Sequence, residues 1–231
     1  MKKIVKTIPL ILLLLIGLAL IFNNQIKNFI ISKTSEQYQV SNVTKKEIQE
    51  NKKKKETFDF DGVQPISSEA VLKAKLSNKR LPVIGGVAIP SVAINLPIFK
   101  GLSNEALLWG AGTTKENQQM GVGNYGLASH HAYEDDLLFS PLGKVNLGAT
   151  IYLTDLENIY EYKVTSKEKV DPTAVQWLDE VPDKSLVTLV TCGDVSGINR
   201  VIVQGELQQI VPVLSADKDM TNAFNMEEKT Y

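Results

Sequence analysis

Between residues 81 and 207 the apolar residues come in seven short runs, each closed by glycine, proline or a polar turn. They are LPVIGGVAIP (81–90), VAINLPIF (92–99), GLASHHAY (126–133), TIYLTD (150–155), YEYKVTS (160–166), SLVTLVT (185–191) and RVIVQGEL (200–207). Runs of this length suit strands, and punctuation at this spacing predicts an antiparallel barrel or sandwich. Helices interrupt the pattern only locally. Ser67 or Ser68 before EAVLKAKLSNK, and Ser103 before NEALLWGAG, read as caps followed by apolar residues at helical spacing, with Gly110 and Gly112 ending the second helix. Pro172 suits the first position of another short helix reaching Asp179. No internal repeat, phosphate-cradling glycine loop or dinucleotide fingerprint is present. The expected fold class is therefore mostly β, a closed sheet with short helical inserts.

The N-terminus differs in kind. Lys2, Lys3 and Lys6 precede an uninterrupted apolar run of 15 residues from Ile8 to Phe22. Extended back to Ile4, with Lys6 snorkelling to the headgroups, the run reaches 19 residues, close to the roughly 20 that a spanning helix needs. No small-x-small cleavage site follows, so residues 1–31 read as an uncleaved transmembrane anchor rather than a cleaved signal peptide. The upstream lysines favour a cytoplasmic N-terminus and an exported body. Residues 32–66 form a polar extracellular stalk, in which Lys52 to Lys55 are either simply solvated or drawn to anionic lipid or wall polymers. Residues 67–212 hold the β domain, and 213–231 a C-terminal tail. The tripeptide Asn42-Val43-Thr44 matches a glycosylation sequon, a pattern too common to weigh.

The net charge of −1 conceals a split. Residues 1–57 contain 11 Lys against 4 Asp and Glu, a balance of +7; the remainder carries 14 basic and 22 acidic residues, a balance of −8. An acidic body argues against nucleic acid as a partner. One cysteine excludes an intrachain disulfide framework, and two adjacent histidines, His130 and His131, lack zinc-ligand spacing, so no metal site is expected.

Chemistry is thereby confined to few residues. Cys192 ends a strand-like run, TLVTC, and enters a polar loop. A lone cysteine is commonly a small core hydrophobe, but an exported protein gains little from an unpaired thiol unless it uses the thiolate. In a strand, Ala128 and His130 share one face while His131 points away; Val190 and Cys192 likewise share a face. Apposing those faces brings a thiol and an imidazole together beside an apolar pocket lined by Ala128 and Val190. A hairpin joining TLVTC to RVIVQ sets Arg200 across from Cys192, either to stabilise a thiolate or oxyanion or as a rim arginine paired with an acidic residue. A third group orienting the histidine is not identified; Asn124 and Asp194 are the candidates.

These residues resemble those of a known family. TLVTC followed by Arg200 resembles the TLxTC…R signature of sortases, and LASHH resembles the Leu-Ala-(Gly/Ser)-His strand of the same family. LPVIGGVAIP, INLPIFKG, GAGT, LFSPL and IYLTD resemble class A members in particular. The resemblance covers roughly residues 70–210, and the anchor and stalk match the family layout. It implies a closed eight-stranded barrel and an extracellular cysteine transpeptidase of Gram-positive bacteria that acts on the LPXTG sorting signal of surface proteins. Cys192 would form a thioester at the Thr–Gly bond. His130 would serve as general acid and then base, and Arg200 would hold substrate and stabilise the oxyanion. Ala128 and Val190 would line the Leu-Pro pocket, with Thr191 contacting substrate or orienting the arginine. The loop from Lys169 to Ser185 would close over the signal. The acceptor would be an amine of lipid II or another peptidoglycan precursor. No cofactor is required, although some class A members use calcium, for which Glu134, Asp135 and Asp136 are the acidic candidates.

Two other readings stand beside this one: a pilus-assembling or hydrolytic peptidase on the same residues, and a tethered β-barrel binding module with Cys192 as filler. Leu81-Pro82-Val83-Ile84-Gly85 imitates a sorting signal but sits in an expected strand and reads as scaffold.

Overall fold

The computed structural model describes residues 2–77, 79–132, 134–193 and 197–225, with side chains described from residue 8 onward. Among these residues eight strands close into a barrel. They are β1 (Val83–Ile89), β2 (Ile94–Phe99), β3 (Ala111–Thr113), β4 (Asn124–Ala128), β5 (Thr150–Thr154), β6 (Asn158–Val170), β7 (Leu186–Cys192) and β8 (Arg200–Pro212), adjacent in the order β1–β2–β3–β4–β7–β8–β6–β5. Six of them fall within the expected apolar runs or extend them. β4 ends at Ala128, short of the run that reaches residue 133, and β3 lies among the glycines expected only to end a helix.

The pairing is not wholly antiparallel as the short runs suggested: β2–β3 and β4–β7 are parallel. Parallel neighbours need a crossover that returns the chain to the same end of the sheet. A helix supplies the first, and the β5–β6 pair lies between the strands of the second. Phe99, Leu127, Ile151, Leu153, Tyr162, Val187, Leu189 and Val203 are fully buried, each such side chain stabilising the fold by roughly 1.5–3 kcal/mol. The buried Tyr162 hydroxyl accepts from the Gly121 amide at 2.9 Å.

The helices are α1 (Lys2–Ile21), α2 (Asn23–Gln37), α3 (Lys45–Lys52), α4 (Ser68–Leu76), α5 (Asn104–Trp109) and α6 (Lys218–Asn222). The caps of α4 and α5 form as expected: Ser67 Oγ accepts from the Ala70 amide at 3.0 Å and Ser103 Oγ from the Ala106 amide at 3.3 Å. The helix expected over 172–179 is reduced to a 3-10 turn, Val175–Leu178. Upstream of it Asp171 Oδ1 accepts from both the amide and the hydroxyl of Thr173, an Asx turn where a helix would begin.

Among the described residues no single helix is long and apolar enough to cross a membrane; the pair Ile8–Ile21 and Asn23–Gln37, bent by 70°, passes by length and composition. The charge-rich stretch read as a stalk lies against the barrel. Val40 and Ile48 of that stretch form a second cluster with Ile159, Val213, Met220 and Phe224 from the barrel and the C-terminal tail, while Ile31, the last residue of the segment read as the anchor, joins the main core. Lys52 Nζ reaches Asp155 at 3.2 Å, tying α3 to the β5–β6 turn. Thr44, the last residue of the sequon, is the N-cap of α3 in a capping box with Glu47. The Leu81–Gly85 segment is buried at the start of β1.

Phe224 is the fully buried aromatic of the second cluster. Phe224→Ala is expected to lower stability by about 3–5 kcal/mol in urea unfolding; an unchanged midpoint would show that the tail is not part of the folded body.

Candidate active site

Three strands arrange one face of the barrel in rows. In the β4–β7 register Gly126 lies beside Thr188 and Ala128 beside Val190. In the β7–β8 register Thr188 faces Gln204, Val190 faces Ile202 and Cys192 faces Arg200. Partnered residues project to the same side of a sheet. The face therefore reads, toward one end of the barrel, as a small and polar row (Gly126, Thr188, Gln204), an apolar row (Ala128, Val190, Ile202) and then Cys192 with Arg200. His130 follows Ala128 by the same two-residue step that takes Val190 to Cys192. The ladder persists just beyond β4, where the Ser129 amide donates to Val190 O at 3.1 Å, and His130 O accepts from the Phe139 amide at 3.1 Å. Ser129 Oγ is fixed to Gly110 O at 2.7 Å.

The apolar row and the row above it open into a cleft of about 820 Å³, large enough for a peptide segment. His130, Cys192, Arg200, Ala128, Val190 and Thr191, the six residues expected at the site, all border this cleft. Sequence reasoning missed the rest of its lining. Ile202 was within reach, two residues after Arg200 in the same run. Trp177 and Leu178 border it from within the Lys169–Ser185 loop that was expected to cover the signal, though neither was singled out; the segment from Phe60 to Ile66, and Lys27 and Asn28 of α2, also border it, and no local pattern marked them. Residues 57–66 are held by backbone and amide bonds: Leu102 N donates to Thr57 O at 2.7 Å, Gln64 N to Asn104 Oδ1 at 2.7 Å, and Asn104 Nδ2 to Gly62 O at 3.1 Å.

The polar row fastens the loop that forms one wall. Asn124 Nδ2 donates to Trp177 O at 2.9 Å and Asp179 O at 2.8 Å; Thr188 Oγ1 donates to Asn124 Oδ1 at 2.7 Å, and Gln204 Nε2 donates to Thr188 Oγ1 at 2.9 Å. Asn124 is thus a loop anchor and not the partner of the histidine. Asp194, the other candidate, lies outside the described residues. Gly126 has no side chain for a physical reason: a Cβ there would come within 2.0 Å of Thr114 Oγ1 and 2.9 Å of Leu178 Cδ2.

The reactive groups differ in setting. Cys192 is a half-buried free thiol facing the cleft, not core filler. Arg200 Nη1 donates to Gly197 O at 2.9 Å and Asn199 O at 3.2 Å. Among the described residues it makes no ion pair within 4 Å; Asp171, which borders the same cleft, has its carboxyl held below the usual range by the hydroxyl and amide of Thr173 and more weakly by Arg200. His130 is 8% exposed, its Nε2 has no hydrogen-bond partner among the described residues, and burial pushes its pKa down from 6.5 to about 4. The imidazole is therefore neutral at pH 7. His131 was expected to point away. It is half-buried and borders the same cleft, because β4 stops before it and strict alternation lapses. Thr191 Oγ1 is buried without a partner among the described residues. Of the acidic cluster after the histidines, Asp135 pairs with Lys144 at 3.1 Å, and among the described residues no group of three or more His, Cys, Asp or Glu is placed to hold a metal ion.

Two expectations follow. The unfolded chain takes up a proton at its histidine near pH 6.5 while folded His130 resists until about 4; stability is then complete above pH 6.5 and falls as pH drops through this window, by up to about 1.4 kcal/mol per unit. Urea unfolding of the wild type and His130→Gln at pH 7 and pH 4.5 should show a smaller acid loss in the variant; equal losses would exclude His130 as the cause. Asn124→Ala removes three loop-fastening hydrogen bonds, to Trp177 O, Asp179 O and Thr188 Oγ1, and is expected to cost about 1–3 kcal/mol and to speed amide exchange across residues 171–184. Unaltered exchange would refute the anchoring role.

The sortase domain family model matches residues 87–208. Sortase A of Streptococcus agalactiae serotype III is 47% identical over 226 residues, which cover 96% of this chain and 92% of that protein. Sortase A of Listeria monocytogenes serovar 1/2a is 43% identical over 210 residues, covering 88% and 91%. The crystal structure of Listeria monocytogenes sortase A superposes with a TM-score of 0.58 at 40% identity, covering 63% of this chain and 99% of that one. With a closed eight-stranded barrel and a cleft-facing cysteine already in place, these likenesses establish that the chain belongs to the sortase family, in its class A, and is a cysteine transpeptidase.

Proposed function

We propose that the chain is a membrane-anchored extracellular enzyme that cuts an LPXTG-type sorting signal between Thr and Gly and joins the upstream surface protein to an amine of a peptidoglycan precursor such as lipid II. The observation that supports this reading is the pairing of Cys192 with Arg200 one row beyond the apolar triplet Ala128, Val190 and Ile202, with His130 bordering the same cleft.

The chemistry runs in two halves. The Cys192 thiolate attacks the Thr carbonyl carbon; a C–S bond forms and the carbonyl electron pair moves to oxygen, where Arg200 offsets the charge. Collapse breaks the C–N bond, and the His130 imidazolium protonates the departing glycine amine, leaving a thioester. The acceptor amine then attacks the thioester, His130 takes its proton, and the thiolate leaves. The proton lent in the first half returns in the second, so the cycle balances without a cofactor. Calcium acting through Glu134, Asp135 and Asp136 enters only as an additive to be tried. Ala128 and Val190 receive the Leu-Pro portion, Thr191 meets substrate or orients the arginine, and the loop from Lys169 to Ser185 covers the signal. α1 lies in the cytoplasmic membrane with its N-terminus inside. Because burial keeps the resting imidazole neutral, thiolate and imidazolium coexist in a minority of molecules, which makes turnover slow and its pH profile two-limbed.

The test incubates the protein with an LPXTG peptide and a free amine and reads the products by mass spectrometry. Cleavage after Thr with transfer to the amine, abolished in Cys192→Ala, is the expected result. Hydrolysis alone would favour the peptidase reading, and no cleavage would return the binding module. His130→Ala should reduce kcat/KM far more than His131→Ala; the reverse order would overturn the assignment of the base.

A further inference from the structure

Among the residues bordering the cleft, His130, Thr191 and Asn28 hold buried polar side-chain atoms with no hydrogen-bond partner among the described residues. The first two belong to the reaction proposed above. Asn28 does not, and it comes from α2, far away in sequence. Its side chain is buried, the residue being only 6% exposed, and both Oδ1 and Nδ2 are unpaired. Burying a carboxamide without partners is unfavourable, and folded proteins nearly always satisfy such groups or keep them for a ligand. α2 is not a loose element that strays to the cleft: it packs against α4 and α5, and its Ile31 is fully buried in the main core.

The chemistry of the group indicates what it binds. A carboxamide offers one acceptor oxygen and a donor NH₂ side by side. That pair complements a peptide unit, which presents a C=O and an N–H, better than it complements an ion of either sign. An extended peptide, lacking internal hydrogen bonds, brings such unpaired main-chain groups with it. We infer that Asn28 is a substrate-binding residue, its carboxamide clamping the main chain of the extended peptide that occupies the cleft. The membrane-proximal helix thus contributes directly to peptide recognition. This rests on the reading of the cleft as a sorting-peptide site, and it adds a main-chain binding element outside residues 67–212.

The test uses the full chain in detergent micelles and the rate of covalent capture of Cys192. A Leu-Pro-Ala-Thr chloromethyl ketone alkylates the thiolate with loss of chloride and presents a peptide main chain; iodoacetamide alkylates the same thiolate, losing iodide, without one. The ratio of the two rates isolates the main-chain contribution from thiol reactivity. Loss of one hydrogen-bonded contact should lower that ratio about 5-fold in Asn28→Leu and Asn28→Ala. The melting temperature of Asn28→Leu should hold or rise, because an unpaired buried amide has been removed. An unchanged ratio overturns the inference. So does a fall in both rates together with the melting temperature, since a merely structural residue behaves that way. A scrambled peptide ketone separates the two levels of the argument. If it reacts with the wild type as fast as the Leu-Pro-Ala-Thr reagent, the sorting-signal reading fails, while a lowered ratio for both ketones in the variants still supports the clamp. No advantage of either ketone over iodoacetamide in the wild type overturns both.

Discussion

A hydrogen-bonded ladder fixes the relative positions of the side chains it carries. Once Val190 is paired with both Ala128 and Ile202, the placement of Cys192 beside Arg200 follows, as does the step to His130. Rows are separated by two residues, roughly 7 Å of strand, so an apolar subsite and a reactive row at that spacing are a property of the register. A slip of one residue in β7 would turn Cys192 into the barrel and put another residue opposite Arg200. The rest of the site is arranged around this register: the loop above it, the glycine that admits the loop, and the walls supplied from elsewhere in the chain.

Polar groups on this face fall into two kinds, and the distinction separates scaffold from site. Under the loop, Asn124, Thr188 and Gln204 bond to one another and to the carbonyls of Trp177 and Asp179, so their burial is offset and their positions are specified. At the cleft, His130 Nε2 and Thr191 Oγ1 are buried with no hydrogen-bond partner among the described residues. Each such group carries an energetic penalty of about 1–3 kcal/mol that a partner would remove. A site built this way favours a ligand that supplies those partners. Burial also keeps the imidazole neutral at rest, making the ionised pair something the bound substrate must help to form.

What could be read from the chain tracks how local its physical cause was. The short apolar runs gave most of the strands, because period-two burial is written in neighbouring residues. The Cys192–Arg200 pairing followed from a hairpin between neighbouring strands, and the parity of Ala128 with His130 and of Val190 with Cys192 placed the site residues at one cleft. β3 was illegible because three residues, Ala111–Thr113, carry no periodicity. The β2–β3 parallel pairing was hidden with β3 itself, and the β4–β7 pairing because it joins strands distant in sequence. His131 was misplaced because alternation was carried past Ala128, where β4 ends. The N-terminal segment misled most. Val40 and Ile48 are isolated apolar residues among lysines, glutamates and asparagines, so the stretch reads as solvated; their burial depends on Phe224 and Val213, which lie more than 160 residues away.

That segment also bears on where the cleft stands. α2 is fixed to the barrel through Ile31, and only the bend near Phe22 separates it from the apolar α1. The direction in which α1 leaves the body is therefore set by packing rather than by a free tether. Asn28 lies under two turns into α2, roughly 8 Å of helical rise. With α1 in a bilayer, as in the proposed function, the cleft wall is held close to the headgroups. The charge split acts in the same sense. In that arrangement residues 23–57, with 8 Lys against 4 Glu, carry +4 and the rest of the exported body −8, so an anionic lipid surface would attract the N-terminal side and repel the acidic body. A substrate and an acceptor that are both confined to the membrane surface would then meet the cleft without the enzyme having to reorient.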